Sequence, residues 1–238
     1  AVAASIGQAS LFADENGEDE RIVNWKKAER WDDRTLYTLE RDAFGFCLTG
    51  DMFDSYRVEA RNFSIPFKDV RDSREQQTIA GIVQSVRTIA GKRGTFAVVA
   101  LSDGQTTMDV LVFAKAYENY KNMLKPDEML IFTGRGRKDE RSGGMSFVCD
   151  KVITIEEMRV QKGATLMLEI AEGQDLGAVC DVLLRGQDSD HQCVPCEVSI
   201  NSMGLKAEIV LKNYYAPTDH LLNQLRNLEN VAAARYVY

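Results

Sequence analysis

The densest group of side chains able to hold a metal or cycle electrons is His191-Gln192-Cys193-Val194-Pro195-Cys196. A structural zinc site takes four ligands, and no second pair of ligating residues lies near this one in the sequence. A redox Cys-x-x-Cys normally opens a helix in a βαβ setting, whereas this one runs into the strand-like Glu197-Val198-Ser199-Ile200. Five cysteines is an odd count, and in a chain lacking a secretory leader they read as reduced thiols. The two histidines, His191 and His220, both fall in the last third. Gly134-Arg135-Gly136 lacks the spacing of a phosphate loop, and no carboxylate pair sits where a two-metal site would need one. The expectation is a binding module with no catalytic residue, no metal and no cofactor.

Two sets of residues do have the chemistry for binding. The first is cationic: Lys92 and Arg93 in one turn, then Arg135, Arg137, Lys138 and Arg141 set against Asp139 and Glu140. The second is Gln8-Ala9-Ser10-Leu11-Phe12, where two large apolar side chains stand in a polar stretch with no core of their own. Burying each in a preformed pocket is worth roughly 1.5–3 kcal/mol. The Gln8 amide can donate and accept at a pocket rim, and Ala9 and Ser10 are small enough to let the backbone approach. The net charge of −7 argues against a simple basic nucleic-acid binder. Part of it comes from one acidic run, Asp14, Glu15, Glu18, Asp19 and Glu20, so the sum does not decide the partner.

The stretch that must position the cations runs from Thr78 to Ile155. Its pattern predicts strands over Thr78–Ala90, Thr95–Leu101 and Thr106–Phe113, with a tight turn at Asp103-Gly104. Ala116, Tyr117, Tyr120, Met123 and Leu124 then fall at three- and four-residue spacing, a helix ended by Pro126-Asp127. Two more strands follow, Glu128–Gly134 and Met145–Ile155, joined by a charged loop from Arg135 to Gly144. Five strands with a helix after the third is the order of the OB-fold, a Greek-key barrel whose face and loops hold single strands or sugars. On such a barrel the loop at Lys92 and Arg93 and the loop carrying Arg135, Arg137, Lys138 and Arg141 can flank one face. Phe96 or Phe147 would supply a stacking platform there, worth about 1–3 kcal/mol per base. A β-barrel without a ligand is the competing reading.

The rest of the chain frames this barrel. Residues 1–33 read as a flexible tail, too polar to offset its ordering entropy. Residues 34–75 read as a helical linker: a helix from about Arg34 to Phe46 capped by Asp32 or Asp33, a second over Met52–Ala60, and an extended entry fixed by Pro66. The barrel takes 76–158, and Glu156–Gly163 reads as a polar connector. Residues 163–238 read β-α-β-β-α-β, a small two-layer α/β unit: strand Thr165–Ile170, helix Leu176–Leu184, a hairpin of Cys193–Ile200 and Leu205–Lys212, a helix capped by Thr218, and an edge strand Ala233–Tyr238. The first methionine is Met52, which suggests a piece of a longer protein. No apolar run approaches the roughly 20 residues that span a bilayer, and no signal peptide is visible, so a cytoplasmic protein is expected.

Several motifs along the chain carry a resemblance. Ile79-Ala80-Gly81-Ile82-Val83, Lys92-Arg93-Gly94, Leu101-Ser102-Asp103 and Val110-Leu111-Val112-Phe113 together resemble the OB domain of the bacterial DNA polymerase III α-subunit family, the replicative C-family polymerases. Gly45-Phe46-Cys47-Leu48-Thr49-Gly50 is similar to the segment before that domain, although Asp51-Met52 stands where the family usually has His-Pro. Gln8-Ala9-Ser10-Leu11-Phe12 resembles the family's internal motif for the β sliding clamp. Pro217-Thr218-Asp219-His220-Leu221-Leu222 with Leu225 is similar to the last helix of its τ-binding domain. The resemblance implies the C-terminal region of a replicative polymerase, with the nucleotidyltransferase site upstream of these residues. It implies three partners: the clamp at Gln8 to Phe12, single-stranded template on the barrel, and the τ subunit of the clamp loader at Leu222, Leu225, Tyr236, Val237 and Tyr238. An OB module from an aminoacyl-tRNA synthetase or helicase, and a purely protein-binding scaffold, are the rival readings.

Overall fold

The computed structural model describes Trp31 and residues 33–45, 47–91, 94–139, 143–171, 176–187, 193–202 and 205–238. Gln8 to Phe12, Lys92, Arg93, Arg141 and His191 lie outside the described residues.

Helix α1 (Asp33–Phe44) stops at Gly45, whose φ of +82° ends a helix at little cost. Its Arg41 forms a bidentate pair with Asp127, one arm at 2.7 Å, which ties the helix to the barrel. Helix α2 (Asp54–Ala60) follows, then a 3-10 turn over Phe67–Asp69.

Strands β1 (Gln77–Gly91), β2 (Gly94–Ser102), β3 (Thr107–Val112), β4 (Met129–Lys138) and β5 (Met145–Thr154) close into a barrel of order β1-β2-β3-β5-β4, with helix α3 (Ala114–Tyr120) between the third and fourth. The OB order read from the sequence is therefore the observed one. Closure depends on the long β1. Its first half pairs with β4 over Gln77–Ile82 and its second with β2 over Ile82–Gly91, with an irregularity between Val83 and Ser85 that bends the strand. Gly81 sits at this crossing: a Cβ there would lie 2.6 Å from the Ser102 carbonyl and 2.8 Å from Leu101 Cγ.

Two apolar layers share the barrel wall. Ile79, Val83, Val99, Leu101, Val110, Val112, Phe132 and Phe147 fill the interior and are fully enclosed. Ala80, Ile82, Ile131 and Ile153 point the other way, against Met52, Phe53 and Ala60 around α2 and Met158 beyond the barrel. That is why Met129–Phe132 is an unbroken apolar run: one face looks into the barrel and the other is covered by helices.

Two sequence-based expectations fail here. Arg135 to Lys138 is not loop but the end of β4, paired with β5 as far as Lys138↔Met145. The connector expected at Glu156–Gly163 is helix α4 (Ile155–Gln161), capped by Thr154 Oγ1, which accepts from the Glu157 N–H at 3.2 Å. Its polar appearance hides Ile155, Met158 and Arg159, all buried.

The last unit is a sheet of β6 (Thr165–Ile170), β7 (Val194–Ser202), β8 (Leu205–Tyr215) and β9 (Val231–Val237), in the order β8-β7-β6-β9, with helices α5 (Gly177–Arg185) and α6 (Asp219–Arg226). Thr218 caps α6 as expected, its Oγ1 accepting from the Leu221 N–H at 3.2 Å. Both helices pack one face of the sheet, on Leu166, Leu168, Val194, Cys196 and Ala234. Among the described residues no helix is long and apolar enough to cross a membrane.

Candidate nucleic-acid interface

The outer layer of helices settles which wall of the barrel is open. With the first halves of β4 and β1 covered, the free surface is the second half of β1 with β2, β3, β5 and the end of β4. Strand register then places its side chains in rows. Arg87 on β1 faces Val98 on β2, Val98 faces Leu111 on β3, Leu111 faces Val148 on β5, and Val148 faces Arg135 on β4. At strand spacings of about 4.8 Å, the two arginines stand about 19 Å apart along the surface. In the neighbouring row Ile89 faces Phe96, and the Phe96 and Phe113 rings approach to 6.1 Å between centroids at 43°. Phe113 and Ile89 are 48% and 44% exposed, unusually open for such side chains at the end of ordered strands.

The result is an apolar floor with cations at its ends. Arg137 lies two residues along from Arg135 and so on the same face, opposite Ser146. Arg135, Arg137 and Lys138 are exposed and have no carboxylate partner among the described residues. Arg87 reaches Asp109 at 3.8 Å, but both side chains are more than half exposed, so water screens the pair and it holds little. Such a surface offers flat rings for bases and guanidinium groups for phosphates.

Several expected site residues land elsewhere. Phe147 is fully enclosed in the barrel core, because β5 turns it inward between Val110 and the Gly134–Gly136 segment of β4. It cannot stack on a base. Phe113, which sequence pattern alone did not single out, takes that place beside Phe96. The signal was there: it follows strictly alternating Met108, Val110 and Val112 with the opposite facing. In the last unit Leu222 and Leu225 are core residues of α6, and Tyr236 is buried under the Arg159 guanidinium, 4.2 Å from its ring centre. None of these three presents a surface. Val237 and Tyr238 remain 41% and 38% exposed.

The junction between the barrel and the last sheet was not legible at all. Arg159, 1% exposed, donates to both Glu59 carboxylate oxygens at 2.8 Å, to Asp219 at 2.8 Å and to the Pro217 carbonyl at 2.7 Å. Tyr56 reaches Asp219 and Tyr238 reaches Glu59, each at 2.5 Å. One cation thus gathers α2, α4, the start of α6 and the residue after β9.

Two of the five cysteines, Cys149 and Cys196, are buried. Cys196 is buried on β7, and burial first, then the Glu197 charge, pushes its thiol up to about 12. Burial does the same to Cys149, also to about 12. A protonated, enclosed thiol is a poor nucleophile. No group of three or more metal-ligating side chains occurs among the described residues.

Comparison with known proteins fits this geometry. Residues 77–160 match the family described as an OB-fold nucleic acid binding domain. The α subunit of DNA polymerase III from Neisseria meningitidis serogroup B is 28% identical over 201 residues, 83% of this chain and 17% of that one. That of Escherichia coli is 26% identical over 237 residues, 96% of this chain and 20% of that one. The chain resembles the DNA polymerase III α subunit over most of its length. It spans about a fifth of those relatives. Among solved structures, RecG bound to a three-way DNA junction aligns with 33% of this chain and 11% of its own, at 20% identity and a TM-score of 0.29.

Proposed function

We propose that this chain is the C-terminal region of a replicative DNA polymerase catalytic subunit, acting in the cytoplasm, and that its barrel binds single-stranded template DNA. The observation that carries the proposal is the open face: Phe96 and Phe113 side by side, Val98, Leu111 and Val148 between them and the ends, and Arg87, Arg135 and Arg137 at the margins. Lys138 belongs to its rim, and Lys92, Arg93 and Arg141, outside the described residues, are assigned to the same contact on their charge alone. The clamp contact is assigned to Gln8, Ala9, Ser10, Leu11 and Phe12, on their chemistry and the family resemblance. The contact with the τ subunit of the clamp loader is assigned to the last unit, where Val237 and Tyr238 are the surviving surface candidates. Polymerase chemistry belongs to the parts of the relatives that these residues do not span.

Fluorescence anisotropy with a labelled single-stranded oligonucleotide tests the barrel face. Phe113→Ala should weaken binding by about 1–3 kcal/mol, the worth of a stacked base. Arg135→Ala with Arg137→Ala should flatten the slope of log K against log salt by about 0.7 for each phosphate no longer neutralised. Unchanged affinity and unchanged slope in both variants would remove the barrel face from the reading. A peptide spanning Ala4 to Asp14, titrated against the cognate clamp beside one with Gln8, Leu11 and Phe12 replaced by alanine, tests the clamp contact separately. Equal binding by the two peptides ends it.

A further inference from the structure

A cavity lies away from the barrel face. It has a volume of about 130 Å³ and opens between α2, the 3-10 turn over Phe67–Asp69 and the β2–β3 turn. The β1–β2 connection joins the other ends of its strands, so this cavity and that connection are at opposite ends of the barrel, while β3 and β5 run parallel and start at the cavity's end. Its lining is chemically divided. Phe53, Ala60, Ile65 and Ala80 give it an apolar floor, while Arg57, Arg61 and Lys68 stand at its wall against one acid, Asp103.

The acid is engaged elsewhere. Asp103 Oδ1 accepts from the N–H groups of Gln105 at 3.0 Å and Thr106 at 2.8 Å, and Oδ2 from Phe67 at 3.3 Å. Its charge holds the turn and the 3-10 segment together, which also fixes two sides of the cavity. Arg57 is fixed as well: Asp54 Oδ1 accepts from its Nε at 3.0 Å and Nη2 at 2.6 Å, and its guanidinium lies over the Phe53 ring at 5.6 Å. Arg61 follows Arg57 by four residues, so the two project from the same side of the turn. Arg61 and Lys68 have no carboxylate or side-chain partner among the described residues, although they stand on two sides of one hollow. The chain as a whole carries −7, so two unmatched cations converging on a preformed hollow go against its overall balance.

We propose that this cavity binds a phosphate group, held by Arg61 and Lys68 with Arg57 as the fixed third cation. A tetrahedral anion with several acceptor oxygens suits donors arriving from separate directions, and charge-assisted hydrogen bonds to it are stronger than neutral ones. The group comes either from a free anion, inorganic phosphate or a nucleotide, or from the backbone of a nucleic-acid strand that passes the β2–β3 turn. Both present the same oxygens to the same cations. The site is independent of the barrel face, and a chain that failed to bind bases on Phe96 and Phe113 would still hold it.

Amide chemical shifts of the whole isotope-labelled chain read the site directly. One arm adds sodium phosphate against sodium chloride at matched ionic strength, and another adds a single-stranded oligonucleotide lacking terminal phosphates. The amides of Arg61, Ser64 and Lys68 should move in at least one arm and stay still in chloride. They should not move in Arg61→Ala/Lys68→Ala, two exposed positions whose loss leaves the barrel amides in place. Movement with inorganic phosphate identifies a free-anion site. Movement with the oligonucleotide alone identifies a backbone contact, and then the double variant should also show a salt slope shallower by about 0.7. The proposal is overturned if those amides are silent in both arms, if chloride moves them equally, or if the double variant responds like the parent chain.

Discussion

The barrel and the last sheet are built from similar strands but solve the problem of the strand edge in opposite ways. The barrel closes, so every strand is paired on both sides, and its apolar residues divide into an interior and a helix-covered exterior. What remains open is one sharply bounded face. The last sheet stays open, with β9 at one edge and β8 at the other. Its helices cover β6, β7 and β9 and, on β8, only Tyr215 with Leu211 beside it; elsewhere on that strand Leu205, Ile209, Val210 and Tyr214 are 45–77% exposed. A groove of about 370 Å³ runs beside it, lined by Leu183, Val198, Ile200, Ile209, Leu211 and Tyr215. Closure makes a specific surface out of a sheet, while an open sheet needs something to hold its orientation and protect its edge. Here Arg159 does the first. Lys206, Glu208 and Lys212 do the second, because charges on an edge strand discourage pairing with another chain.

If Arg159 is the fastener between barrel and sheet, its loss should be the largest single effect. Arg159→Ala leaves Glu59 and Asp219 facing each other with no cation between them, and breaking a buried pair this way costs about 3–5 kcal/mol. Arg159→Met keeps the volume and should cost less. Urea unfolding of the whole chain measures both, and an alanine variant within about 1 kcal/mol of the parent would mean the fold does not depend on this fastening.

The next test asks whether the two cores are separable. Leu225→Ala removes a fully buried side chain from the last unit, and Phe132→Ala does the same in the barrel. Each should cost about 2–5 kcal/mol. Hydrogen exchange should show the loss concentrated in β6 to β9 for the first and in β1 to β5 for the second. Equal loosening of both regions by either change would make them one cooperative unit instead of two fastened ones.

How far the sequence revealed this division depends on the region. The barrel is legible because its turns are strong, as at Asp103-Gly104, and because Ala116, Tyr117, Tyr120 and Leu124 switch the period from two to three or four. The open face was only half legible. Its cations were found, but Arg135, Arg137 and Lys138 looked like loop because glycines interrupt them, although Gly134 and Gly136 are the inward-facing positions of β4. Phe96 and Phe147 look equivalent in sequence. They differ because Phe96 pairs with Ile89 on the outer surface and Phe147 falls on the inner side of β5. The junction was invisible: Glu59, Arg159 and Asp219 are separated by 100 and 60 residues, and no local pattern marks a cation that is satisfied only across the fold.

A smaller effect tests the same junction from its edge. Burial, and then the hydrogen bond to Glu59, hold the Tyr238 hydroxyl well above the usual phenol range. A raised folded-state pKa means the contribution is present at neutral pH and is lost as pH rises above the unfolded phenol value of about 10. The residue is 38% exposed, so water screens part of this bond, and Tyr238→Phe should cost no more than about 1 kcal/mol near pH 7 and show a shallower loss of stability as pH rises above about 10. Parallel pH profiles would place Tyr238 outside the fastening network.

The smallest effect belongs to β8. Val210 is 67% exposed and pairs only with Glu197 across the sheet, so Val210→Lys removes little buried surface. Its cost should stay within about 0.5 kcal/mol, as for surface positions in general. It also places a third lysine on the outward face with Lys206 and Lys212, since alternate residues of a strand share a face. If β8 is an edge protected mainly by charge, this change should lower self-association at high concentration while leaving unfolding unchanged, and sedimentation velocity on the parent and variant measures it. The matching change on the barrel, Val98→Lys, sits between Arg87 and Leu111 on the face assigned to nucleic acid. It should alter oligonucleotide binding and leave self-association alone. A β8 variant that unfolds early would show that this strand is covered, and the contrast between a closed barrel and an open sheet would then fail at its clearest point.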